Sequence, residues 1–110
     1  MRWTWDDKKS LANRRKHGLG FETAQLVFDD PLVASRQDPH PVEERWQTIG
    51  AIGSVVVIVA HTRTETDRAT GEETGRIFSA RKATPRERKV YEEGDFEGSG
   101  RGPASRPRRA

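Results

Sequence analysis

Residues 76–91 read RIFSARKATPRERKVY and join a short strand to a well-marked helix start. Thr84, Pro85 and Glu87 have the spacing of a capping box with proline in the first helical turn, so a helix begins at Thr84. The residues before it alternate in character, which predicts a strand. The stretch also holds six lysines and arginines against one glutamate. It therefore predicts the last two elements of the fold and a surface suited to a polyanion.

The remaining sequence predicts an α+β domain in which helices pack on one face of a small antiparallel sheet. Asp6 or Asp7 suits the start of a first helix, Gly18 suits its left-handed end, and Leu11 and Ala12 supply its apolar side. The apolar, largely β-branched run that begins at Val55 predicts a central strand covered on both faces. The predicted elements are strands 3–5, 32–36, 44–52, 55–62 and 76–82, helices 6–17, 21–28 and 84–92, and loops 37–41 and 63–75.

Size and composition predict one domain with a modest core, because 32% of the 110 residues are hydrophobic and 34% are charged. We place this domain in residues 1–93 and predict a disordered tail of Gly, Pro and Arg over residues 94–110. The tail has four arginines against Asp95 and Glu97, which is two of the three net positive charges. A polyanion site must therefore be a local patch. The lack of cysteine, secretion signal and long apolar run predicts a cytoplasmic protein without a membrane segment.

Two arginines of the closing strand are the first candidates for binding phosphate. Regular alternation puts Arg76, Phe78 and Ala80 on one face of the strand and Arg81 on the other. Either a bulge brings the two arginines together, or only one of them acts on a substrate. Arg81 is favoured because it precedes the N-terminus of a helix, where an anion is stabilised.

Further candidates are scattered along the chain. His61 ends the central strand and suits a general base, although a half-buried structural histidine explains it equally well. Glu65 follows as a possible acid or base. The candidates for substrate contact are basic side chains on the first helix, the long loop and the closing segment, namely Lys16, His17, Arg63, Lys82 and Arg86. The three histidines lack the spacing of a metal site, and no cofactor fingerprint is present, so neither a metal nor a cofactor is predicted.

Three blocks of the sequence resemble the BrnT toxin family. The first is WDDKKSLANRRKHGLGFETAQLVFDDP, which begins at Trp5. The second is RWQTIG, which begins at Arg45, and the third is VAHT followed by RIFSARKATPRERKVYE. Together they cover residues 3–93. Phe78 departs from the aliphatic residue that the resemblance predicts, and the long acidic loop and the Arg-rich tail are further departures.

The resemblance implies a RelE-like fold and a metal-independent endoribonuclease, the toxin of a type II toxin–antitoxin pair that inhibits translation. The implied partner is a small BrnA-like antitoxin with a ribbon-helix-helix part, so that operator DNA is bound only through the antitoxin. Metal-free RNA cleavage needs a base for the 2′-OH, an acid for the leaving oxygen and cations on the phosphorane-like transition state. Arg81 is predicted as the first cation and Arg76 as the second, with His61 or Glu65 in proton transfer.

Two alternatives from other classes remain open at this point. One is a catalytically inactive RelE-like module that acts in antitoxin binding and operon repression, which the near-neutral charge of residues 1–93 allows. The other is an RNA-binding domain that uses the basic tail electrostatically. That second alternative predicts a steep dependence of binding on salt and loss of binding when residues 94–110 are removed.

Overall fold

A computed structural model describes residues 1–38 and 44–96 of the chain. Its strands are β1 Arg2–Thr4, β2 Ala34–Asp38, β3 Arg45–Ile52, β4 Val55–His61, β5 Glu65–Thr66 and β6 Glu73–Lys82. Its helices are α1 Asp7–His17, α2 Phe21–Ala24 with a 3-10 turn at Gln25–Asp29, and α3 Pro85–Glu92. This confirms the predicted α+β class and the order of the elements. Among the described residues, no helix is long and apolar enough to cross a membrane.

The sheet has the order β1-β6-β4-β3-β2, and β5 pairs with the first residues of β6. All pairs are antiparallel except β1 with β6. The apolar strand β4 lies in the middle, as its composition predicts. The loop predicted over residues 63–75 is in part a hairpin, because Glu65 pairs with Thr74 and β6 begins at Glu73.

Strand β4 divides its side chains between two hydrophobic clusters, one on each face of the sheet. Val57 and Val59 pack against α2 and the following 3-10 turn on what we call the first face. Val56 and Ile58 pack against α3 on the opposite, second face. The expectation that all helices share one face is therefore wrong for α3. A strand that is apolar on both sides needs cover on both sides, and α3 supplies the second cover.

Helix α1 begins and ends where the sequence predicts but packs through other residues. Asp6 accepts a hydrogen bond from the Lys8 amide at 2.8 Å, and Gly18 ends the helix with φ 75°. Leu11, expected on the apolar side, is 49% exposed. The helix instead buries Ser10 and Asn13, whose polar atoms bind backbone groups of other elements. Polar anchoring replaces apolar packing in this helix.

The 3-10 turn after α2 lies close against the sheet at Gly50. A β-carbon at Gly50 would stand 2.7 Å from the Val27 carbonyl oxygen, so only glycine allows this approach. Asp30, just after the turn, accepts hydrogen bonds from the Ala51 amide and from the Tyr91 hydroxyl. Burial and the neighbouring Asp30 carboxylate raise the pKa of the Tyr91 hydroxyl far above its ordinary value. These contacts connect the last helix to the end of the sheet.

The described domain extends beyond the boundary predicted at residue 93. The Asp95 amide donates to the Val90 carbonyl at 2.9 Å, and Phe96 is only 2% exposed in the cluster on the second face. The start of the predicted tail is thus part of the core. The rest of it, residues 97–110, lies outside the described residues, as do residues 39–41 of the predicted loop. Gln37 and Asp38 from that loop belong to β2.

Candidate nucleic-acid interface

A bulge in β6 at Phe78 brings the two candidate arginines to the same face. Ala60 pairs with Ser79, whereas its neighbour His61 pairs with Ile77, so one extra residue lies in β6. Arg81 pairs with Ile58 and therefore stands on the second face. Ile77 belongs to the cluster on the first face, so the adjacent Arg76 also projects from the second. Of the two possibilities that alternation left open, the structure has the bulge.

The part of the second face next to the bulge is lined by small and polar residues and surrounded by arginines. Gln47, Ala60 and Ser79 form one cross-strand row. Four arginines stand around this row. They are Arg36 on β2, Arg45 on β3, and Arg76 and Arg81 at the two ends of the bulged part of β6. Adjacent strands lie about 4.8 Å apart, so the patch spans about 14 Å from β2 to β6. We call these seven residues the arginine patch.

Helix α3 and Phe96 cover the other half of the second face and thereby limit the patch. The Arg36 guanidinium lies over the Phe96 ring at 4.2 Å from its centroid and donates to the Gln47 side chain at 3.0 Å. On the other side Arg76 is exposed, and its backbone exchanges hydrogen bonds of 2.9 Å with Thr62. Within the described residues its guanidinium forms no ion pair. Arg76 is therefore a cation held by its backbone and open to a ligand.

Arg81 has a partner of its own. Its two terminal nitrogens donate to the two oxygens of Glu87 at 2.7 and 2.9 Å. The hydrogen bond from Arg81 is the largest cause that lowers the pKa of Glu87 to about 2, and the same bond raises the pKa of Arg81. Glu87 also accepts from the Thr84 amide at 2.9 Å. Its carboxylate thus occupies the anion position at the N-terminus of α3 that the sequence suggested for a phosphate.

His61 lies in the core and does not fit the predicted role of general base. It is 0% exposed and on the first face, where Trp3 and Phe28 pack edge-on against its ring at 4.9 and 5.4 Å. Its Nδ1 donates to the Thr62 carbonyl at 2.7 Å, so Nε2 accepts from the Thr48 hydroxyl at 2.6 Å. Burial lowers the pKa of His61 to about 4. A neutral, buried imidazole with both nitrogens bonded cannot reach a substrate.

Glu65 is the candidate carboxylate that stands with Arg76. It pairs with Thr74, two residues before Arg76 in β6, and therefore projects from the same second face. The two residues are diagonal cross-strand neighbours, a relationship with a typical separation of about 7–8 Å. Glu65 is exposed. The register thus places a carboxylate beside the cation that is open to a ligand.

The other predicted contacts lie at the margins of this arrangement. Arg63 is exposed and forms an ion pair of 3.6 Å with Glu44. Lys82 pairs with Val57 and so projects toward the first face, while Arg86 is exposed on α3. Lys16 is exposed and His17 half-buried at the end of α1. None of these five residues belongs to the arginine patch.

Asn13 is a structural link that reasoning from the sequence missed. Its amide nitrogen donates to the Leu19 and Ala80 carbonyls at 2.7 and 2.8 Å, and its oxygen accepts from the Ala80 amide at 3.2 Å. Among the described residues, the partners of β1 are Thr74, Gly75 and Arg76, so this side-chain amide pairs with the backbone of β6 where β1 has ended. An asparagine in the middle of a helix, where this residue type is disfavoured, was the available signal. Asn13 holds α1 beside Arg81.

The protein is thus a compact α+β domain with an arginine-lined, open sheet face and an adjacent carboxylate, a kind of surface that suits a polyanion. The sequence model of one family matches residues 5–87, and its description is ribonuclease toxin, BrnT, of type II toxin-antitoxin system. Since the match covers most of the chain, including Asn13, Arg76 and Arg81, the protein belongs to the BrnT family of ribonuclease toxins. No curated protein matches the sequence significantly. Within the described residues, no group of three His, Asp or Glu side chains has the geometry of a metal site.

Proposed function

We propose that the arginine patch binds single-stranded RNA and cleaves it without a metal ion. The observation that carries this proposal is the bulge at Phe78, because it places Arg76 and Arg81 on one open face. The patch gathers four arginines in a domain whose overall charge is small, so it offers a local site for phosphates. Arg63, Lys82, Arg86, Lys16 and His17 would then contact flanking parts of the strand.

In this mechanism Glu65 takes the proton from a ribose 2′-OH, and the 2′-oxygen attacks the adjacent phosphorus. The O2′–P bond forms and the P–O5′ bond breaks, which leaves a 2′,3′-cyclic phosphate. Arg76 stabilises the negative charge that develops on the phosphoryl oxygens. The leaving O5′ takes a proton from solvent, which reaches the open face. Arg81, held by Glu87, fixes the end of β6.

Glu65→Gln tests this assignment, because it removes the base and keeps the size of the side chain. Glu73→Gln is the matched control, since Glu73 is also exposed, pairs in the same hairpin and projects from the opposite face. We expect Glu65→Gln to lower the rate of RNA cleavage by about 10²-fold to 10⁴-fold. The decrease should be the same with and without a metal chelator in the buffer. Equal rates for the two variants would exclude Glu65 as the base.

A catalytically inactive module is the second candidate, and one observation favours it. Arg81 and His61, two of the side chains expected to act on RNA, have structural partners instead. In that case the second face would serve antitoxin binding and operon repression. Growth arrest on expression without an antitoxin, lost in Arg76→Ala, would decide for the ribonuclease.

The toxin would have an antitoxin as its partner and inhibition of translation as its effect in the cell. A family of type II toxins implies an antitoxin, and we propose a BrnA-like protein whose ribbon-helix-helix part binds operator DNA for the complex. Covering the arginine patch would neutralise the toxin. Cleavage of RNA in the cytoplasm would inhibit translation. Competition between the purified antitoxin and a short RNA for the protein tests whether the two ligands share the second face.

A further inference from the structure

Phe78 is an aromatic side chain in an unusual place. It is the extra residue of the bulge in β6, and it is only partly buried. The Arg45 guanidinium carbon lies 4.8 Å from the centroid of its ring. Arg45 stands on the second face, because its neighbour Trp46 pairs with His61 on the first. The contact therefore places the Phe78 ring on the second face, within the arginine patch.

The ring does not take part in the packing of the core. Both hydrophobic clusters among the described residues are complete without Phe78, and each is centred on other strand residues. An aromatic ring on a polar, arginine-lined surface needs a different explanation from a core side chain.

The residues beside Phe78 leave room above the sheet. Ser79 and Ala60, which pair with each other next to the bulge, have two of the smallest side chains. Arg45 must extend across β4 to reach Phe78, since β4 separates their strands. Cations thus stand beside a flat ring over a shallow surface. This is the combination that holds unpaired nucleotides, because bases stack on aromatic rings while cations bind the phosphates.

We propose that Phe78 is a stacking platform for one unpaired nucleobase of the RNA, with Arg76 and Arg45 on the phosphates that flank it. The base takes the position over the ring that the Arg45 guanidinium has in the free protein. A base fixed there limits where the backbone lies relative to Arg76, so Phe78 selects which phosphodiester is presented for cleavage. This inference rests on the proposed RNA binding by the arginine patch and adds a specificity-determining residue to it.

Phe78→Leu tests the platform, because leucine keeps an apolar side chain at the bulge and removes the ring. Binding is measured by fluorescence anisotropy with short oligonucleotides whose 2′-oxygens are methylated, so that cleavage does not interfere. We expect Phe78→Leu to weaken binding by about 10-fold to 100-fold, and Phe78→Trp to retain it. Thermal unfolding of both variants within a few degrees of the wild type serves as the control for folding.

A series of oligonucleotides with one abasic position separates stacking from general loss of affinity. For the wild type, an abasic site at one position of the oligonucleotide should weaken binding. For Phe78→Leu, the same abasic oligonucleotide should bind as well as the intact one. An equal abasic effect in the two proteins would overturn the proposal. So would unchanged binding by a folded Phe78→Leu, or a defect confined to antitoxin binding.

The same experiment distinguishes failure of this inference from failure of the proposed function. Wild-type protein that binds the oligonucleotides through Phe78 but leaves natural RNA intact would support the platform and contradict ribonuclease activity. Wild-type protein that cleaves RNA, with Phe78→Leu equally active at the same bonds, would support the ribonuclease and overturn the platform.

Discussion

Arg81 and Glu87 are joined by two parallel hydrogen bonds of 2.7 and 2.9 Å, across the turn from the end of β6 into α3. The same carboxylate accepts from the Thr84 amide, so a single side chain closes the capping box and holds the arginine. This relationship gives Arg81 two properties. It fixes the junction of strand and helix, and it has its charge balanced within the protein.

Glu87→Gln should separate these two properties. We expect the free energy of unfolding to fall by about 1–2 kcal/mol, because the ion pair and part of the cap are lost. RNA binding should become tighter and steeper in its salt dependence, since Arg81 gains an uncompensated charge. The control is Glu92→Gln, which removes an exposed carboxylate paired with Arg88 on the same helix. RNA affinity that rises equally in both variants would contradict a specific role for Arg81.

The Glu87 carboxylate should also make the stability of the protein depend on pH in the acid range. Its pKa is about 2 in the folded protein against 4.5 as the ordinary value. Because the folded-state pKa is depressed, the contribution is complete above pH 4.5 and is lost as the pH falls toward 2. Urea unfolding over this range should show a smaller loss in Glu87→Gln than in the wild type. Parallel curves for the two proteins would rule the contribution out.

Acidification should also remove a contribution of His61 to stability, and it should do so at higher pH than for Glu87. Its pKa falls from 6.5 to about 4 on folding, so the unfolded chain binds the proton more tightly. Stability is therefore complete above pH 6.5 and declines toward pH 4, by about 3 kcal/mol for this size of shift. His61→Gln, measured by urea unfolding, should be less stable at pH 7 but should decline less between pH 6.5 and 4. Equal declines in the two proteins would show that the imidazole is not held neutral.

Replacing Asn13 should weaken the link between α1 and the end of β6. Asn13→Ala should lower the free energy of unfolding by about 2–4 kcal/mol, because the amide and carbonyl of Ala80 lose buried partners. Asn13→Asp should cost stability as well, since it keeps the acceptor and loses the donor. The exposed neighbour Arg14, replaced by alanine, is the control and should change stability little. Unfolding by urea measures all three variants.

Local signals in the sequence predicted the ends of the helices well. Asp6, Gly18 and Thr84 have the positions expected of them, because capping depends on residues only a few places apart. The apolar run of β4 likewise predicted a central strand. The same run carried the signal for a helix on the second face, since Val56 and Ile58 needed cover as much as Val57 and Val59 did. The prediction that all helices lie on one face did not take this need for cover on the second face into account.

The arrangement of the candidate site depended on pairing between distant strands, which no local pattern reports. Alternation alone separated Arg76 from Arg81, and the extra residue at Phe78 became evident only from the register with β4. His61 could have been exposed or buried at a strand end, and Trp3 and Phe28, distant in sequence, decide that it is buried. The partner of Arg81 was within reach of sequence reasoning, because Glu87 had already been placed in the capping box.

The rate at which Arg76→Ala cleaves a short single-stranded RNA under single-turnover conditions tests the central claim most directly. Arg14→Ala is the matched control, because it removes an exposed arginine from α1, the helix whose Ser10 bonds to Phe21 on the first face. If the arginine patch is the active surface, Arg76→Ala lowers the rate by about 10²–10³ while remaining folded, and Arg14→Ala cleaves at the wild-type rate. A folded Arg76→Ala that cleaves as fast as Arg14→Ala would contradict the assignment of catalysis to this face.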